Sequence, residues 1–198
     1  MSQFEFLYGL FSLLLGFILV EVLSGLMRTF RARLPRAHGA KAEIHIGWLT
    51  PMLGALTMLN VVTWWLNLWV FQQTLPVGFD TAIIGVILCS FYYFAASMIF
   101  PDEPRAWPDV DEWFWLHRRQ VIGCILAANI PFFLVTFVEG GTFNEQLVNA
   151  VVEAMFFGLL LLAMFARKQW IVTAALAVLV AVHLSFVPLD YLHRHGAW

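Results

Sequence analysis

Six apolar stretches, each about long enough to cross a bilayer, divide this 198-residue chain. A membrane helix needs about 20 mostly apolar residues to cover about 30 Å of hydrocarbon, where the backbone must satisfy its own hydrogen bonds. The stretches run roughly over 4–27, 45–71, 79–100, 121–137, 147–165 and 170–191. They predict an all-α, polytopic membrane protein with six transmembrane helices, and a single transmembrane domain over residues 1–198. Composition agrees, with 61% apolar and 12% charged residues, against about 25% charged in a soluble domain. The net charge of −2 leaves no basic excess for phosphates, so a nucleic-acid partner is not expected. Cys89 and Cys124 sit in apolar runs and read as small buried residues rather than a redox pair. Residues 1–9 contain Glu5 and no base, so the first stretch does not read as a cleaved signal peptide.

Charge sets the expected orientation. Arg28, Arg31, Arg33, Arg36 and Lys41 lie between the first two stretches, Arg105, Arg118 and Arg119 between the third and fourth, and Arg167 and Lys168 between the last two. Only Arg194 of the eleven basic residues falls on the other side. The positive-inside rule makes those three loops cytoplasmic and puts both termini outside. Tryptophans read as two interfacial belts, Trp48, Trp107, Trp113, Trp115 and Trp170 at the inner side and Trp64, Trp65 and Trp69 at the outer. From Asp109, a plausible N-cap, the third loop reads as a short interfacial helix between spans three and four. In the first stretch Gly9, Ser12 and Gly16 form a small-residue stripe suited to close packing.

Ionisable groups inside a bilayer are costly and mark candidate sites. Glu21, Glu153 and His183 fall at interior depths, as do the amides Asn60 and Asn129. Gln146, Asn149 and Glu153 follow i, i+3, i+7 spacing and share one helix face, which reads either as the wall of a water-filled vestibule or as headgroup-facing polar residues. Glu21 has Arg28 two turns away and is expected to pair with it, to pair with an arginine from another loop, or to serve a pathway. His183 is expected either to meet a backbone carbonyl or to meet Glu153, forming a proton-sensitive gate. His193 and His195 near Asp190 offer only a weak surface metal pattern. No metal centre, cofactor or catalytic set is expected, because no nucleophile elbow, P-loop, HExxH or CxxC motif occurs.

Leu15-Gly-Phe-Ile-Leu-Val-Glu-Val-Leu-Ser-Gly-Leu-Met-Arg28, Trp64-Trp65, Phe100-Pro-Asp-Glu103 and His117-Arg-Arg119 together resemble a group of small multi-span bacterial membrane proteins of unassigned activity. The similarity covers about the first 120 residues. It implies a multi-pass protein of the bacterial inner membrane and transfers no site residue. The function expected from the residues is a small homo-oligomeric channel for cations or protons, lined by Glu153, Asn149, Gln146, His183, Asn60, Asn129 and Glu21. The alternative is a non-conducting interaction or sensor subunit. Its cytoplasmic contacts to a partner or anionic phospholipid would come from Arg28, Arg31, Arg33 and Arg118 with Trp107, Trp113 and Trp115.

Overall fold

A computed structural model describes residues 3–34, 44–70, 77–138 and 143–194. Among them six helices follow one another: α1 (Gln3–Arg33), α2 (Leu49–Val70), α3 (Phe79–Ile99), α4 (Val110–Val138), α5 (Phe143–Phe165) and α6 (Gln169–Arg194). A 3-10 turn at Pro104–Ala106 precedes α4. Four are long and apolar enough to cross a membrane: α1, α2 over Leu49–Trp69, α3, and α5 over Gln146–Phe165. The apolar run of α6, Gln169–Ser185, is shorter. In α4 the polar segment His117-Arg-Arg-Gln120 dilutes the apolar half.

Two boundaries differ from the sequence expectation. Helix α1 runs on to Arg33, because nothing between Met27 and Pro35 breaks a helix and Arg31 and Arg33 in the last turn suit its dipole. The expected separate interfacial helix does not exist as such, since residues 110–138 form one uninterrupted helix. Asp109 begins it as an N-cap, its Oδ1 accepting the Asp111 amide at 2.9 Å. No glycine interrupts α4 before Gly123, and Pro131 is accommodated inside it.

The helices close a ring in the order α1, α3, α4, α5, α6, α2, and α2 also reaches across to α3 and α4. Helix α2 is thus the hub. Its apolar window is 50% buried, against 11% for that of α5. Small residues make this possible, since helices in lipid gain little from burying apolar surface and depend on close packing. The stripe that does this work is not the expected one. A Cβ at Gly9 or Gly16 would meet nothing within 4 Å. Instead the Phe100 ring, at the end of α3, lies against Gly25 of α1 and Gly54 of α2, where added Cβ atoms would stand 2.8 Å and 3.1 Å from it. The Phe11 ring of α1 lies directly on Gly85 of α3.

The joints rich in basic residues gather at one end of the bundle. His45 pairs with Asp109 in an isolated parallel bridge, through His45 N–H to the Pro108 carbonyl at 2.9 Å and Val110 N–H to the His45 carbonyl at 3.1 Å. The Thr50 hydroxyl adds a bond to the Val110 carbonyl at 3.2 Å. Arg28 reaches Asp102 at 3.9 Å, and Trp113 Nε1 donates to the Met98 carbonyl at 2.9 Å. Trp48 and Trp170 are exposed, as interfacial residues should be, but Trp64 is buried in the core and does not belong to a belt. Its ring packs edge-on against Phe11, Tyr92 and Phe132.

Gly85→Ala should lower stability by about 1–3 kcal/mol, because the Phe11 ring must move. Gly9→Ala should be neutral or stabilising by up to about 1 kcal/mol, from helix propensity alone. Unfolding of the two variants in mixed micelles checks the contrast, and equal effects would mean that the two glycines are not distinguished by packing.

Candidate functional site

Four helices meet at one polar cluster. Asn60, buried near the middle of the hub α2, accepts through Oδ1 from the hydroxyl of Tyr92 on α3. The same oxygen accepts from Asn129 Nδ2 of α4 at 3.0 Å. Asn129 Nδ2 also stands 2.9 Å from the Tyr92 oxygen and 2.7 Å from the Ile125 carbonyl of its own helix. On the other side, Asn60 Nδ2 faces His183 Nε2 of α6 at 3.5 Å. His183 Nδ1 lies 2.8 Å from the Leu179 carbonyl, which can only accept. That carbonyl assigns the proton to Nδ1 and leaves Nε2 as the acceptor for Asn60, so every donor in the chain of contacts finds an acceptor. Phe156 of α5 closes the far side, its ring 5.9 Å from that of His183.

The structure therefore brings Asn60, Asn129 and His183 together and adds Tyr92, which the sequence reading missed. The available signal was the pair Tyr92-Tyr93 within an apolar run: adjacent helical residues point in different directions, and an inward phenol needs a partner. The Trp64 Nε1 beside this cluster has no hydrogen-bond partner among the described residues.

The remaining pathway residues lie apart from it. Gln146 and Asn149 are exposed and Glu153 half-buried on α5. Among the described residues Glu153 makes no hydrogen bond or ion pair, and His183 is engaged by Asn60 and Leu179 instead of by Glu153. Glu21 is taken up by Arg28 at 3.4 Å, the ion-pair alternative. His195 lies outside the described residues, as do the side chains of Asp190 and His193.

The expected lipid or partner surface also divides. Arg31 and Arg33 are exposed, and Arg28 is exposed but paired. Arg118 is corrected: it is only 6% exposed, because the inward face of α4 carries it, and it cannot share a surface with the α1 arginines. Trp107, Trp113 and Trp115 are half-buried. Trp113 stacks on His117 with 3.7 Å between ring centroids.

Asp111, the second residue of α4, is buried with its carboxylate flush on the backbone of Gly47. Gly47 is required there, since any side chain would collide with that carboxylate. Burial pushes the Asp111 pKa up, and the backbone amides of Thr50 and Leu49 at the start of α2 pull the other way. The carboxylate faces the start of α2, whose dipole favours an acid, but its Oδ1 has no hydrogen-bond partner among the described residues.

No protein-family model, curated protein or solved structure matches this chain.

Two outcomes are expected. Asn60→Leu and Asn129→Leu should each cost about 1–3 kcal/mol by leaving buried polar partners unsatisfied, and the double variant should cost less than the sum. A double-mutant cycle on unfolding in micelles reads this, and strict additivity would mean that the two amides are uncoupled. For Asp111, folding raises the pKa, so its stabilising effect is complete below the unfolded value and is lost as pH rises through the folded one. Relative to Asp111→Asn, the wild type should lose stability as pH climbs from about 4, and parallel melting profiles would contradict the burial of this carboxylate.

Proposed function

We propose that this chain is a small homo-oligomeric membrane protein that conducts cations or protons along the polar face of α5, where copies meet. One observation carries the proposal. Glu153 lies near the middle of a helix whose apolar window is only 11% buried, and it has no partner among the described residues. An acidic side chain turned to hydrocarbon costs about 2.5–3.5 kcal/mol even on lenient scales, so it calls for water or another protein surface. Asn149 and Gln146 continue the same face toward the helix start, both exposed. A water-filled seam between α5 helices of neighbouring copies gives Glu153 the water it lacks, with Asn149 and Gln146 on the same wall. An acid without a nearby base favours cations or protons over anions.

The polar cluster on Asn60 then serves the bundle instead of the seam, holding α2, α3, α4 and α6 in register. The gathering of basic joints at one end fits that end facing the cytoplasm of a bacterial inner membrane, with six spans and both termini outside. The second reading, a non-conducting interaction or sensor subunit, is favoured by a different observation: the central amides satisfy one another, while Arg31, Arg33 and Trp48 stand exposed at the basic end.

Ion flux into liposomes separates the two. Glu153→Gln should lower cation or proton flux at least about tenfold, equivalent to about 1.4 kcal/mol in the barrier, with oligomer assembly intact. Unchanged flux in that variant would remove Glu153 from the pathway. Absence of flux for any small cation across pH 5 to 8 would leave the subunit reading.

A further inference from the structure

The hydrogen bonds around Asn60 run in one direction, and that direction is fixed at both ends. At one end the Ile125 carbonyl can only accept, so the atom of Asn129 that stands 2.7 Å from it is the amide nitrogen. The same nitrogen lies 3.0 Å from the Asn60 oxygen. Asn60 therefore cannot turn its amide round without setting two NH2 groups against each other. At the other end the Leu179 carbonyl holds the Nδ1 proton of His183. Asn60 Nδ2 then has an acceptor in His183 Nε2 only while the imidazole is neutral. A second proton on the ring would set N–H against N–H across that 3.5 Å contact, with both amides pinned. Histidine is the side chain whose ordinary titration falls between about pH 5 and 8.

Helix α5 sets where a displaced ring can go. It packs beside α6, and the joint of residues 166–168 is short enough to make the two helices an antiparallel pair. Glu153 lies 12 residues before the end of α5 and His183 14 residues after the start of α6. At 1.5 Å per residue they stand about 18 and 21 Å from the joint, at nearly the same level. Phe156 follows Glu153 by three residues on one helix face, and its ring is the one beside His183, 5.9 Å between centroids. Other ionisable groups are remote or already engaged. Helix α2 carries none, and Tyr92 of α3 is bonded to Asn60. The charged residues of α4 end at Arg119, ten positions before Asn129. Glu145 of α5 lies more than two turns from Glu153, and Asp190, His193 and Arg194 follow His183 by seven positions or more. Glu153 itself has no ion pair among the described residues.

We propose that His183 is a proton-operated gate on the α5 pathway. Neutral, the ring is held by Asn60. Protonated at Nε2 by water of the seam, it leaves Asn60, passes the Phe156 ring, whose face attracts a cation, and pairs with the Glu153 carboxylate. That carboxylate is then withdrawn from passing cations, and the added positive charge repels them. The gate rests on the reading of α5 as a cation pathway and supplies its regulation: open when His183 is neutral, closed in acid.

Two measurements on the full chain in liposomes separate the gate from the pathway. In isotope-labelled protein at pH 8, solid-state NMR should find the His183 ring protonated at Nδ1 alone and next to the Asn60 carboxamide. At pH 5 the ring should be doubly protonated and next to the Glu153 carboxylate. A ring still neutral at pH 5, or one that keeps its Asn60 contact when charged, would overturn the switch whether or not the protein conducts. Flux of the cation that Glu153→Gln slows, potassium or proton, should fall at least about tenfold from pH 8 to pH 5, the range over which an ordinary histidine charges. His183→Gln, which stays neutral and can still accept from Asn60, should lose that dependence. The same dependence in His183→Gln would assign it to the Glu153 carboxyl itself and remove His183 as the gate. No flux at any pH would remove the pathway and with it the gate, while the ring contacts still decide the switch.

Discussion

A carboxamide at the centre of α2 organises the bundle. Between helices in lipid there is no hydrophobic drive, because the surrounding chains are as apolar as leucine. Specific packing and interhelical hydrogen bonds must then decide which helices meet. Asn60 is the point where both coincide: its oxygen accepts from Tyr92 and Asn129, and its nitrogen faces His183. One side chain thereby ties α2 to α3, α4 and α6. A slip of any of these helices would strand buried polar atoms, which costs far more than a shifted leucine contact. Glycine fixes the distances around it. Phe100 against Gly25 and Gly54, and Phe11 against Gly85, set how closely α1 approaches its neighbours.

That centre leaves α5 in a different position. It closes the ring between α4 and α6 and buries little of itself, yet it carries a carboxylate at mid-length. A helix that contributed only packing would have no use for Glu153. The division of polar residues into an internally satisfied set on α2, α3, α4 and α6 and an outward set on α5 is what favours a pathway between copies over one through a single bundle. At the basic end the same logic applies to charge: Glu21 is matched by Arg28, whereas Asp111 Oδ1 and Arg118 Nη1 are buried without hydrogen-bond partners among the described residues.

Much of this was legible in the residues. Helical class and the approximate positions of all six helices followed from apolar runs, and the depths of Asn60, Asn129 and His183 marked them as a related set. Spacing along one helix cannot say which helices adjoin, so the meeting of those three residues with Tyr92 was out of reach, and so was the separation of Glu153 from His183. Small-residue stripes misled for a similar reason. Gly9 and Gly16 share a face with Ser12, but packing is decided by what stands opposite, and large rings stand opposite Gly25, Gly54 and Gly85. Trp64 was assigned to a belt by its position near a helix end, whereas its face of α2 turns toward Phe11 and Phe132. Arg118 was grouped with the α1 arginines by charge alone, although it belongs to the inward face of α4.

The claim that a wet seam runs along α5 is tested most directly by thiol labelling in intact membranes. Single cysteines would be placed in turn at positions 146 to 153, with Cys89 and Cys124 replaced by serine. Labelling by a water-soluble, membrane-impermeant reagent should peak at Gln146→Cys, Asn149→Cys and Glu153→Cys and be weak at Val148→Cys, Val151→Cys and Val152→Cys, which share the helix but not the polar face. Uniformly weak labelling past the first turn would place this face in lipid or dry protein, and the pathway between copies would be excluded.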